Sequence, residues 1–119
     1  MQLPRNAMLL RIFIGEADRH QGHPLYEAIV LKAREMHLAG ATVLRGPMGF
    51  GASSRLHTAK ILRLSADLPL LIEIVDSEEK IQQFLPVLDA MMSSSALVTL
   101  EKVQVLVYGK ERVAAAPAA

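Results

Sequence analysis

Apolar residues along the chain fall into four strand-like runs and two helical stripes. Ala7 to Gly15 (AMLLRIFIG) is an almost unbroken apolar run with β-branched and aromatic members, closed by a glycine, and predicts a buried strand. Glu16 to His23 is polar, carries Gly22 and predicts a loop. Pro24 suits the first turn of a helix, where its missing N–H is no loss. Leu25, Ile29, Ala33 and Met36 follow at helical spacing, leaving Lys32, Arg34 and Glu35 for the wet face. Gly40 is the expected C-terminal stop. The β-branched pair Thr42 and Val43 makes Ala41 to Arg45 a short second strand.

Leu68 to Asp76 (LPLLIEIVD) predicts a third strand. Ser77 is a good N-cap, and Glu78 and Glu79 suit the positive first turn of the helix that follows. Ile81, Phe84, Leu85, Leu88, Met91 and Met92 form its apolar stripe, with the methionines as core filler. Pro86 inside that stripe removes a backbone hydrogen bond, which predicts a kink or two short helices meeting there. Leu97 to Tyr108 alternates through Val98 and Leu100, then Val103, Val105 and Val107; the slip of phase at Glu101 and Lys102 predicts a bulge. The expectation is one domain over residues 1–112 and a disordered, alanine-rich tail over 113–119. The order strand–helix–strand, strand–helix–strand is the ferredoxin-like βαββαβ plan. That plan is an α+β fold, a four-stranded antiparallel sheet with both helices on one face.

The crossing from the second to the third strand, residues 46–65, is far longer than a hairpin needs. Gly46, Gly49 and Gly51 permit backbone conformations that turn several N–H groups toward one anion. Ser53 and Ser54 add hydroxyl donors, and Arg55, His57 and Lys60 add positive or protonatable groups. Together they make a grip for a phosphate. From composition alone a plain hairpin with solvated charges is the weightier reading, since neither Walker A nor Rossmann spacing is present.

Composition narrows the classes. Thirteen basic and twelve acidic residues give a net charge of +1, which offers no broad footprint for nucleic acid or an acidic membrane. The absence of cysteine excludes disulfides, thiolate metal sites and cysteine nucleophiles. No apolar run reaches 18 residues and Met1 to Asn6 lacks a signal-peptide pattern, so the expectation is a cytoplasmic protein without direct membrane insertion. A hydrophobic share of 51% and a mean hydropathy of +0.27 are high for one small domain, and a subunit interface on the sheet face free of helices would absorb the excess.

Gly40-Ala41-Thr42-Val43 followed by Gly49-Phe50-Gly51 resembles the entry to the long T-loop of nitrogen-regulatory PII proteins, and Leu71 to Val75 (LIEIV) resembles their third strand. Gly49 to Arg55 is also similar to the Gly-Ser-Arg loop of carboxysome-associated PII-like sensors. The most specific strings are Pro24 to Val30, Ala39 to Gly46, His57 to Ser65 and Glu79 to Asp89. They resemble an uncharacterised PII-like family called domain of unknown function 190, over roughly residues 8–108.

The PII resemblance implies a homotrimer with ligand clefts between subunits, and an adenine nucleotide that orders or releases the T-loop. The loop would then act on a protein target such as a transporter or an enzyme. By the same resemblance Thr42 would lie near the base, with the backbone of Gly49, Phe50 and Gly51 near the phosphates. Ser93 to Ala96 lacks the glycine and lysine of the second PII phosphate loop, and Val103 to Tyr108 lacks the paired arginines of the last PII strand. The ligand this implies is AMP, ADP or a cyclic nucleotide rather than ATP. Residues 49–65 hold no tyrosine, so nucleotidylation has no acceptor.

Other readings stay in view. His20 and His23 with Asp18 and Glu16 compose a candidate metal group on the first loop, which supports the alternative of a structural or metal-binding trimer. Acylphosphatases share the fold, but the only asparagine, Asn6, precedes the first strand, and an enzyme is not expected. RNA-recognition domains share it too, yet no strand here carries their cluster of aromatic, glycine and basic residues. Glu73 and Arg11, each inside an apolar strand, are read as a solvent-facing or cross-strand pair.

Overall fold

The computed structural model describes residues 2–51, 57–58 (backbone only), 67–92 and 96–114. Its centre is a four-stranded antiparallel sheet of β1 (Asn6–Gly15), β2 (Thr42–Arg45), β3 (Pro69–Asp76) and β4 (Leu97–Gln104), in the spatial order β2-β3-β1-β4. Helices α1 (Leu25–Glu35) and α2 (Glu78–Met91) cover one face, so the fold is the expected α+β, ferredoxin-like arrangement. The two long apolar runs became the central strands, each hydrogen-bonded to a neighbouring strand on both sides. Register pairs Leu10 with Ile74 and Ile12 with Ile72, and these four are fully buried beside Leu25, Ile29, Ile81, Phe84 and Leu88 of the helices.

Helix ends follow local chemistry, with one correction. Ser77 caps α2 as expected, its hydroxyl accepting from the Lys80 N–H at 3.2 Å. Helix α1 stops before Gly40: His37 takes the left-handed conformation at φ 61°. The N–H groups of His37 and Leu38 then return to the carbonyls of Arg34 and Ala33, a Schellman closure. The physical reason is that Leu38 packs against the core, which favours turning the chain there despite the modest cost of a left-handed histidine.

Two further expectations are corrected, and of the two readings of Pro86 the split is excluded. α2 runs continuously through Pro86 rather than splitting into two helices; Pro86 and Gln82 lie on its wet side, where the Gln82 carbonyl left without its usual donor can meet water. β4 pairs with β1 in one unbroken register from Asn6–Gln104 to Phe13–Leu97, so no bulge occurs. The slip of phase instead reflects a change of face. Val98 packs into the helix-side core, whereas Val103 faces the other way and joins a second cluster with Leu3, Ala7 and Val105. The first loop contains a small hairpin, Arg19–His20 with His23–Pro24, turned by Gln21 and Gly22 at φ 50° and 82°. Residues 115–119 of the expected tail lie outside the described residues.

The open face of the sheet is laid out in rows. Leu97, Phe13, Leu71 and Leu44 align across all four strands as one apolar row. The next row is polar: Thr99, Arg11, Glu73 and Thr42. Beyond it Ala7 and Val103 pack with Leu3 and Val105 from the segments flanking β1 and β4. The C-terminal segment bends over them after β4, with Val105 N–H on the Arg5 carbonyl at 2.8 Å and a short pairing of Val107–Tyr108 with Glu111–Arg112.

Candidate functional site

Two cavities touch the residues singled out above. One, of about 600 Å³, lies at the root of the long crossing. Its walls include Gly49, Phe50 and Gly51, Phe13 and Leu97 from the bare apolar row, and the acidic residues Asp18 and Asp67. The other, of about 800 Å³, lies on the open face between the polar row and the C-terminal segment, bounded by Thr42, Arg11, Glu73, Leu9 and Tyr108.

Local sequence explains the root cavity. Met48–Gly49 pairs with His57–Thr58, which narrows the crossing directly after β2. Gly46 donates its N–H to the Pro69 carbonyl at 2.7 Å, and a Cβ at Gly46 or Gly49 would lie 3.0 Å from the Pro69 ring. These two glycines therefore serve a close approach of the outgoing root to the start of β3. Phe50 follows with 75% of its surface exposed, an aromatic at the cavity mouth. Both carboxylates of the cavity accept from the first turn: Asp18 from the Gly15 N–H and Asp67 from the Ala17 N–H, each at 3.0 Å.

The predicted residues separate accordingly. Gly49, Phe50 and Gly51 meet at the root cavity, Gly46 supports its root, and Thr42 lies in the other cavity, paired in register with Glu73. Ser53, Ser54, Arg55 and Lys60 lie outside the described residues, and His57 is described only in its backbone. Sequence reasoning missed Phe13, Leu97 and Asp67 as wall residues. The first two were signalled only by their alternation onto the face without helices, and Asp67 by its place directly before a strand. Arg45 was also missed: it ends β2 and forms an ion pair with Glu16.

In the second cavity the anticipated Arg11–Glu73 pair forms across β1 and β3, Nε to Oε2 at 2.9 Å, with Glu101 at 3.7 Å. The guanidinium is held above its ordinary pKa, chiefly by the hydrogen bond to Glu73. Partial desolvation opposes the rise, and the charges of Glu101 and Glu73 add to it. The candidate metal group on the first loop does not assemble. Asp18 is turned to Gly15 and Glu16 to Arg45, and among the described residues no cluster of three His, Asp or Glu is placed to hold an ion. Among the described residues, no helix is long and apolar enough to cross a membrane.

Comparison with known proteins bears on this geometry. A solved structure of CPII from Thiomonas intermedia K12, a nitrogen regulatory PII-like protein bound to ADP, AMP and bicarbonate, is similar over 84% of this chain and 88% of that one. The TM-score is 0.58 at 18% identity, which makes the fold PII-like. A UPF0166 protein of Aquifex aeolicus (strain VF5) is 39% identical over 98 residues, 82% of this chain and 91% of the relative. A UPF0166 protein of Methanocaldococcus jannaschii is 34% identical over 94 residues, 79% of this chain and 86% of the relative. The model of the DUF190 family, described as uncharacterized ACR, matches residues 7–105. With its central sheet, both helices and the root of the crossing inside that match, the chain belongs to the DUF190 (UPF0166) family.

Proposed function

We propose that this protein is a PII-like sensor, not an enzyme, that binds a small phosphorylated ligand in a cleft between subunits and uses the 49–65 crossing to act on a protein target. The observation that carries the reading is the double membership of Phe13 and Leu97. Both line the root cavity, and both belong to the bare row on the open face, where they are 38% and 57% exposed. A second copy docked on that row buries apolar surface and closes the same cavity. The cleft is then an inter-subunit one, and a homotrimer is the assembly that the PII-like fold favours.

An adenine nucleotide suits the cavity. Its volume falls in the range of small-molecule sites. Phe50 offers a ring on which a purine can stack, and the Gly49–Gly51 backbone offers close approach for a phosphate. Ser93 to Ala96 lacks the glycine and lysine of the second PII phosphate loop, so AMP or ADP, or a cyclic nucleotide, is preferred to ATP. The PII-like neighbour bound to ADP and AMP supports that preference. Two hydrogen-bonded carboxylates held by backbone N–H groups are structural partners rather than an acid–base pair, which supports sensing over catalysis.

Calorimetry with AMP, ADP, ATP, cyclic AMP and bicarbonate tests the ligand, repeated on Arg55→Ala. Binding of AMP or ADP that weakens in the variant supports the reading; no heat with any of the five ligands removes it. Mass in solution tests the trimer separately.

A further inference from the structure

The turn Gly15–Asp18 touches both ends of the long crossing. On the outgoing side the Glu16 carboxylate holds the Arg45 guanidinium at the last residue of β2. On the returning side the Glu16 N–H donates to the Leu68 carbonyl at 2.8 Å, and the Ala17 N–H donates to Asp67 at 3.0 Å. The turn is also closed on itself, with the Asp18 N–H on the Gly15 carbonyl at 3.1 Å and the Asp18 carboxylate on the Gly15 N–H. The Glu16 side chain is 15% exposed, so its charge is more dependent on its partner than that of an open surface pair. There is no slack on the inner side: a Cβ at Gly15 would come within 2.8 Å of Asp67 Oδ1.

We propose that Glu16 is a positioning residue that fixes the spacing of the two roots of the 46–66 connection. We further propose that its turn transmits occupancy of the root cavity to those roots. Gly15 and Asp18 line that cavity, so a ligand there bears on the same turn that holds Arg45, Asp67 and Leu68. The transmitting half rests on the cavity being the ligand site; the positioning half does not.

Hydrogen exchange with mass spectrometry separates the two. In the free protein, Glu16→Gln and Arg45→Gln are expected to speed exchange in peptides covering 46–51 and 67–70 about tenfold, the loss of one charge-assisted bond. Peptides over 8–13 stay protected, and Arg45→Lys recovers part of the difference. Unchanged exchange in Arg45→Gln, a variant at an exposed side chain, overturns the positioning role. Saturating AMP is expected to slow exchange at 44–48, which does not line the cavity, in the wild type and not in Arg45→Gln; equal slowing in both overturns the transmission. A wild type that binds none of the five ligands removes the ligand reading and the transmission with it, while exchange in the free protein still decides the role of Glu16.

Discussion

On the helix side of the sheet, Leu10, Ile12, Ile72 and Ile74 are enclosed by α1 and α2; on the other side, alternate residues of the same strands meet two different fates. Toward one end, Ala7 and Val103 cluster with Leu3 and Val105 from the segments that flank β1 and β4. Toward the other, Phe13, Leu44 and Leu97 stay exposed beside the root cavity. One face is a finished core. The other is half finished by the chain and leaves apolar surface where the candidate ligand site opens, which is why site and assembly are proposed together.

Measurements that break this contrast rank by size. Phe84→Ala, in the finished core, should cost about 3–5 kcal/mol in a urea titration; a cost below 1 kcal/mol would mean the helix side is not the stabilising one. Phe13→Asp, in the bare row, should leave the isolated chain folded and weaken self-association at least about thirtyfold by sedimentation, as loss of a central apolar anchor does. An unchanged mass would show that copies meet elsewhere.

Asp76 is the one buried polar residue among those described. It accepts from the Ala39 N–H at 2.8 Å and the Ser77 N–H at 2.6 Å. Asp76→Ala strands both donors and should cost about 1–3 kcal/mol, read from the same urea titrations. Tyr108→Phe is the mildest. It removes the hydroxyl that donates to the Ala39 carbonyl at 2.7 Å, tying the C-terminal segment to the approach to β2. About 0.5–1.5 kcal/mol is expected, with faster amide exchange confined to residues 105–113. A loss of exchange protection spreading into β1 would mean the terminal cover and the core are one cooperative unit.

Much of the fold was legible because its signals are local. The apolar run of β3, the Ser77 cap and the stripe of α2 each depend on a few neighbouring residues. The Gly40 stop was misjudged because sequence shows which residues tolerate a left-handed turn but not where Leu38 finds its packing partner. The bulge was misjudged for a related reason. A slip in hydrophobic phase has two origins, an extra residue or a second apolar neighbourhood on the opposite face, and only the register with β1 distinguishes them. At the site, Gly46 and Gly49, read from sequence as backbone donors to an anion, are close-approach positions against Pro69, a role that depends on a distant residue and that sequence did not signal. Phe13, Leu97, Asp67 and Arg45 lie far apart in sequence and carry no motif, so nothing short of folding draws them together.

The βαββαβ order and the glycine-bearing crossing could be read along the chain, because periodicity, caps and turn residues act over a few bonds; the family came from the resemblance of particular strings, Pro24 to Val30 and Ala39 to Gly46 among them. Only the folded arrangement shows that Thr42 and Gly49–Gly51 line different cavities, that one turn holds both roots of the crossing, and that a bare apolar row borders the root cavity. Those facts depend on strand register, and register is set by how side chains from distant segments fill one face of the sheet.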